Sequence, residues 1–316
     1  MNNYSKEIKE AEKEVSKILV GQSNVVRGML RAVLCNGHVL IEGVPGIAKT
    51  LAVKAMAEAM GCKMSRVQFT VDLLPTDITG VTTYSPKKGF EVVKGPIFAN
   101  FVIADEINRA PPKTQSAMLE AMQERNVTIS KKTYPLPKPF FVMATENPIE
   151  VSGVYTLPEA QIDRFLFKLL MGYPDSKEEV KILTQNISIS DFEDFHIKKI
   201  LSPQKIIEMQ KETKKIFSSD AIKDYIVRLV EETRSKDFGY SKYIDYGASP
   251  RASIALFIAS KAEALIEGRS FVNPKDVKEV ARDVLRHRII LNYEAEADGV
   301  STDDIIEHLL NKVRAP

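Results

Sequence analysis

The chain has 316 residues, 44% of them hydrophobic and 27% charged, which is enough for two folded domains and excludes a disordered polypeptide. Its 44 Lys and Arg against 42 Asp and Glu leave a net charge of +2, which argues against nucleic acid or an anionic membrane as partner, local basic patches apart. Cys35 and Cys62 lie among apolar residues without paired ligand spacing and read as reduced, buried thiols, and no apolar run approaches the roughly 18 residues of a membrane span, so the expected location is cytoplasmic.

Residues 5–19 have the pattern of an amphipathic helix, with Ile8, Ala11, Val15, Ile18 and Leu19 on one side. A break at Val20-Gly21-Gln22 separates it from a second such helix over residues 23–36. A backbone turn at Gln22, leading toward a buried strand, is well placed to touch an adenine.

The apolar run Val39-Leu40-Ile41 is followed by Gly43-Val44-Pro45-Gly46-Ile47-Ala48-Lys49-Thr50 and a helical stretch that opens at Leu51. A glycine-bearing loop between a strand and a helix turns successive backbone N–H groups toward one point, where the helix N-terminus adds partial positive charge. In such a phosphate cradle Lys49 reaches the β- and γ-phosphates and the Thr50 hydroxyl sits on Mg²⁺. Ala48 stands where a glycine is usual, a position of negative φ that tolerates one methyl. An ordinary glycine-rich surface turn is the competing reading, and the order of strand, loop and Lys-Thr helix weighs against it.

Four further apolar runs, at residues 67–71, 101–104, 140–144 and 165–171, complete five candidate strands interleaved with helices, the pattern of a parallel sheet covered on both faces. Ligands bind beyond the C-terminal ends of such strands. One run ends in Asp105-Glu106, where Asp105 would hold Mg²⁺ through water and Glu106 would orient and deprotonate the attacking water. Another ends in Thr145-Glu146-Asn147, where the Asn147 amide could bond both the γ-phosphate and that water.

Residues 72–96 and 126–139 look inserted, the second as a hairpin turning at Ser130-Lys131-Lys132; functional loops and solvent-facing hairpins are equally credible readings of both. Arg164, ahead of the fifth strand, either projects into a neighbour's nucleotide site or pairs with Asp163. Arg251 opens a helix capped by Ser249-Pro250, where its charge opposes the helix end and suggests an anionic partner. Arg109 is either a subunit contact or solvent-exposed. The four histidines form no ligand pattern, and Met118, Leu119 and Met122 read as core. Beyond Gly172-Tyr173-Pro174 strand signals vanish, and Ser202-Pro203, Ser249-Pro250, Asn273-Pro274 and Ser301 with Asp304 mark helix starts.

These residues resemble the MoxR branch of the AAA+ ATPases. The similarity rests on the phosphate loop with its alanine, on Gln68-Phe69-Thr70-Val71-Asp72-Leu73-Leu74-Pro75-Thr76-Asp77, on Asp105-Glu106-Ile107-Asn108-Arg109-Ala110, and on Ala144-Thr145-Glu146-Asn147-Pro148. It continues through Leu157-Pro158-Glu159-Ala160-Gln161-Ile162-Asp163-Arg164-Phe165 and Gly247-Ala248-Ser249-Pro250-Arg251-Ala252. The resemblance implies an α/β P-loop fold: an αβα core over residues 1–173 around a five-stranded parallel sheet, with a helix-2 insert near 72–96 and a pre-sensor-1 hairpin near 126–139, then an all-helical lid over 174–316.

It further implies ATP and Mg²⁺ as cofactors and hydrolysis in a homo-oligomeric ring, usually of six subunits. By motif, Gly43 to Leu51 hold the phosphates, Asp105 and Glu106 are the Walker B pair, Asn147 is sensor 1, Arg164 is the finger acting in trans and Arg251 is sensor 2. Family members carry Gln where Glu146 stands, so this chain has an added carboxylate beside sensor 1. The implied role is chaperone-like maturation or metal insertion in client proteins, including partners with von Willebrand factor A domains. A nucleotide-gated switch and a nucleic-acid-dependent ATPase are the alternatives.

Overall fold

Alternation within each apolar run decides the architecture: successive side chains of a strand point to opposite faces, so a strand apolar at every position must be covered twice. The computed structural model of the chain describes residues 2–43, 49–87, 89–147, 153–184 and 192–316. Helices α1 (Asn2–Ser16) and α2 (Ser23–Leu34) lead into β1 (Val39–Gly43), then α3 (Lys49–Ala59) and β2 (Met64–Gln68). A short α4 (Pro75–Thr79) and a hairpin of β3 (Gly80–Ser85) and β4 (Gly89–Lys94) precede β5 (Phe101–Asp105). There follow α5 (Pro112–Glu124), a second hairpin of β6 (Asn126–Ile129) and β7 (Lys132–Pro135), β8 (Phe141–Glu146), α6 (Glu159–Ile162) and β9 (Phe167–Met171).

The sheet is parallel, in the order β2-β5-β8-β1-β9, with Val39 opposite both Met143 and Phe167 and Phe101 opposite Phe141. Val39, Ile41, Phe101, Ile103, Phe141, Met143, Phe167 and Leu169 belong to a core shared with α1, α2 and α3. Leu40, Val102, Ala104, Val142 and Ala144 belong to a second core, with Met118, Leu119 and Met122 of α5. The period of two thus divides β1, β5 and β8 between two hydrophobic bodies. Truncating a fully buried member such as Phe101 to alanine costs about 3–5 kcal/mol.

The second strand lies three residues ahead of the apolar run that predicts it: β2 is Met64–Gln68, not residues 67–71. Strand β2 is the sheet edge, and of its five residues only Val67 is buried, so its own pattern is weak. Phe69 is buried beyond the strand's end, while Val71 is 63% exposed. The first insert is α4 and a whole hairpin. Gly80, at φ 102°, and Gly95 set its base, since a Cβ on Gly95 would lie 2.2 Å from the Ile78 carbonyl oxygen.

Past β9 the chain is helical: α7 (Ser176–Thr184), α8 (Pro203–Lys215), α9 (Asp220–Glu232), α10 (Pro250–Ile266), α11 (Pro274–Leu285), α12 (Tyr293–Ala297) and α13 (Thr302–Lys312). The expected caps form, with Ser202, Ser249, Asn273 and Ser301 side chains accepting from the backbone N–H groups of Lys205, Arg251, Asp276 and Asp304. One departure from an all-helical lid is a two-stranded antiparallel sheet of β10 (Ile244–Tyr246) and β11 (Ile290–Leu291), too short to register as alternation. Cys35 and Cys62 are free thiols, and burial pushes the Cys62 thiol up to about 12.

The N-terminal helices pack against the lid as well as the sheet. Arg31 Nε donates to Glu263 Oε2 at 2.6 Å and Arg27 Nη2 to Glu263 Oε1 at 2.5 Å, joining α2 to α10. Glu263 is almost wholly buried, and although burial raises its pKa, the two guanidiniums outweigh that and hold it below the usual carboxylate range.

Candidate active site

Parallel strands end together, so residues that close neighbouring strands form a row across one rim of the sheet. Gln68 of β2 lies opposite Asp105 of β5, and Thr145 of β8 lies beside Asp105 and opposite Ile41 of β1. Thr145, 1% exposed, is the hub of this row: its hydroxyl donates to Asp105 Oδ1 at 2.7 Å and accepts from the Glu106 backbone N–H at 2.9 Å. Arg66 of β2 holds the other Asp105 oxygen, Oδ2, at 2.6 Å from Nη2 and 3.1 Å from Nε.

Glu106 turns the chain out of β5 with φ 57° and ψ 52°, a left-handed conformation that costs a non-glycine residue about 1–2 kcal/mol. That turn swings the carboxylate toward β2, where Gln68 Nε2 donates to Oε2 at 2.8 Å and Arg109 Nε lies 3.2 Å from the same oxygen. Arg109 is thus an ion-pair partner of Glu106 in its own chain.

Lys49 begins α3, and its ammonium donates to the carbonyl oxygens of Gly43, at the end of β1, and Glu146, at the end of β8, the latter at 3.2 Å. Thr50 and Leu51 are half-buried in the first turn of the same helix. Val44, Pro45, Gly46, Ile47 and Ala48 of the expected phosphate cradle lie outside the described residues. Asn147, 7% exposed, follows β8 directly. Beside it, burial pushes the Glu146 carboxyl up, Lys168 opposing and Glu42 reinforcing the effect. Gln22 Nε2 donates to the Gly172 carbonyl at 3.0 Å, one residue past Met171, the partner of Gly43, so the turn between α1 and α2 also reaches this rim.

The two remaining arginines are elsewhere. Arg164 precedes β9 and Arg251 opens α10, and both line a cavity of about 310 Å³ with Gly37 and His38, which precede β1. Since β1 and β9 run parallel and are five residues long, this cavity is separated from Lys49 by a strand length, about 16 Å. Within one chain Arg251 therefore lies with Arg164, away from Lys49. Asp163 does not pair with Arg164; its carboxylate takes Arg288 Nε at 2.7 Å and Arg251 Nη1 at 3.4 Å. Arg164 is exposed and makes no ion pair among the described residues.

His38, at the floor of that cavity, is structural. Its Nε2–H donates to the Met122 carbonyl, its Nδ1 accepts from the Val142 N–H, and burial with nearby Arg125 pulls its pKa down to about 3. The residues that sequence reasoning missed are Thr145, Arg66 and Gln68, which support the carboxylates, and Arg288. The first three could have been found by aligning the strand ends in register, whereas nothing in the sequence points to Arg288.

The donor set fits its expected ligands. An ammonium pre-placed by two carbonyls suits a polyphosphate, and a carboxylate and a hydroxyl at a strand end and a helix start are hard oxygen donors of the kind Mg²⁺ takes. Fold and rim together define a P-loop ATPase domain with a helical lid. Residues 38–167 match the model of the ATPase family associated with various cellular activities, and residues 240–309 match the AAA lid domain.

Among curated proteins, the chain is 48% identical over 308 residues to Chaperone MoxR1 of Mycobacterium tuberculosis, covering 96% of this chain and 81% of that one. It is 43% identical to the uncharacterised protein YeaC of Bacillus subtilis, covering 97% and 94%, and 29% identical to Protein MoxR of Methylorubrum extorquens, covering 96% and 94%. A crystal structure of a proposed ATPase from Cytophaga hutchinsonii superposes with a TM-score of 0.92 at 47% identity, covering 99% of this chain and 96% of that one. The chain belongs to the MoxR family of AAA+ ATPases.

Proposed function

We propose that this chain is the subunit of a homo-oligomeric ring, hexameric by family resemblance, that hydrolyses ATP with Mg²⁺ to remodel, mature or load metal into partner proteins in the cytoplasm. The observation that carries this reading is the separation just described. Lys49, Asp105, Glu106 and Asn147 gather at one end of the sheet and Arg164 and Arg251 at the other, so a complete site needs the arginines of a neighbouring copy.

Within such a site each residue has a task that its surroundings favour. Lys49 exchanges two carbonyls for phosphate oxygens, and Thr50 with Asp105 would hold Mg²⁺, which would neutralise charge on the phosphates. Glu106 orients a water and takes its proton, Gln68 and Arg109 fixing the carboxylate, while Asn147 positions the same water against the γ-phosphate. Arg164 and Arg251, supplied by the neighbour, stabilise the charge that develops on the transferred group.

The client side of the reading rests on the first insert. Tyr84 and Phe90 pack at a tilt across its hairpin, 5.2 Å between ring centroids, while 66% and 79% exposed, an apolar tip suited to grip a partner chain. Partners with von Willebrand factor A domains follow from the family resemblance, and a net charge of +2 disfavours nucleic acid. The test is Mg²⁺-dependent ATP hydrolysis that Lys49→Ala or Glu106→Gln abolishes; turnover unaffected by either change refutes the assignment. Mixing Arg164→Ala with Glu106→Gln subunits tests the shared site, since each variant supplies what the other lacks. Failure to recover turnover at any ratio refutes it.

A further inference from the structure

Between Arg164 and the lid lies a contact that catalysis as described does not use. Arg288, in the turn after α11, is 7% exposed, and all five N–H donors of its guanidinium are engaged. Its Nε donates to Asp163 Oδ1 at 2.7 Å, Nη2 donates to the carbonyls of Phe165 at 2.8 Å and Asp163 at 3.3 Å, and Nη1 donates to those of Leu166 at 3.2 Å and Val284. The two residues before it extend the grip: His287 Nε2 donates to the Phe165 carbonyl at 3.1 Å and Arg286 Nη1 to the Lys168 carbonyl at 2.7 Å. Arg286 is itself anchored to Asp303 of α13 at 2.8 and 2.9 Å. Three consecutive lid residues therefore hold the backbone on both sides of Arg164 and leave its side chain outside.

We propose that Arg288 is a positioning residue for Arg164: by fixing the carbonyls that flank it, Arg288 makes the placement of the lid decide how that arginine enters the neighbouring subunit's site. This rests on the shared-site reading above. No other side chain could take its place. A lysine carries three donors on a flexible stem and cannot meet a carboxylate and four carbonyls in one plane. A catalytic group misplaced by about 1 Å loses roughly 100-fold in rate.

The experiment compares Arg288→Lys with wild type for ATP affinity, ring assembly and kcat, then mixes it with Glu106→Gln subunits, whose Arg288 and Arg164 are intact. The expected result is unchanged nucleotide affinity and assembly, a kcat lowered roughly 100-fold, and recovery of turnover on mixing. Asp163→Asn, which keeps side-chain volume and removes the charge, gives a second variant with a loss of roughly tenfold, rescued in the same way. If Arg164→Ala is rescued by Glu106→Gln and neither Arg288→Lys nor Asp163→Asn is, or if both keep wild-type kcat, the positioning role is wrong while the shared site stands. If Arg164→Ala itself is not rescued, the shared site fails and this inference with it.

Discussion

Replacing Thr145 with valine keeps shape and volume and removes one hydroxyl, so it asks what that single group does. The Glu106 N–H loses its acceptor at 2.9 Å and Asp105 Oδ1 loses a donor at 2.7 Å, both at a position 1% exposed. A buried N–H left without a partner costs about 1–3 kcal/mol, and a hydrogen bond to a charged group contributes about 1.5–3 kcal/mol. The two share one atom and do not add fully, so a net loss of about 2–4 kcal/mol is expected. A catalytic effect of similar size should accompany it, because the same N–H fixes the left-handed turn that aims the Glu106 carboxylate. Turnover should fall roughly 100-fold while ATP affinity, which the proposed function assigns to Lys49 and the loop before it, stays unchanged. Urea denaturation and steady-state hydrolysis measure the two effects, and Thr145→Ser should restore both. Wild-type stability and kcat in Thr145→Val would show that the hydroxyl is not the hub described.

Glu263→Gln removes the charge between Arg27 and Arg31, and because the site is buried the unfolding free energy should drop by about 3–5 kcal/mol; a denaturation midpoint equal to wild type would contradict that. Gly95→Ala places a Cβ 2.2 Å from the Ile78 carbonyl, so the first hairpin should lose about 1–3 kcal/mol and its amide protection in hydrogen exchange, while unchanged protection would refute the fit. His38 stays neutral in the fold, with its pKa at about 3 against 6.5 when unfolded, so only the unfolded chain takes up its proton as pH falls. Its stabilising contribution is complete above pH 6.5 and drains toward pH 3, at about 1.4 kcal/mol per pH unit. Buried His287, also held well below its ordinary value, acts in the same direction. Stability measured at pH 7 and pH 5 should fall less steeply in His38→Gln than in wild type, and equal slopes would refute the assignment.

The elements that the sequence reveals are those whose burial is complete. Strands β1, β5 and β8 announce themselves as apolar runs because both faces are covered, and β9 keeps an apolar run although Leu170 on its outer face is 45% exposed, whereas the edge strand β2 offers one buried residue and is misplaced by three positions. The first insert cannot be told from a functional loop in the sequence, because β3 is almost wholly exposed and carries no pattern to detect. Asp105, Glu106 and Asn147 are legible because a carboxylate or amide at the end of an apolar run stands out. Thr145 and Gln68 matter only through register, and the position of Arg251 depends on where the lid docks, which helix order along the chain does not reveal.

The ion pairs from α2 to α10 bear on how this chain can be divided. The match to the ATPase family starts at residue 38, yet Val25, Val26, Met29, Leu30 and Val33 on the preceding helix cover one side of the sheet, and Arg27 and Arg31 bind Glu263. A fragment cut at that boundary would bare an oily flank and strand a buried carboxylate at once. Any engineered subunit meant to work alone must carry its leading helices, since they serve as mortar between the two ends of the polypeptide.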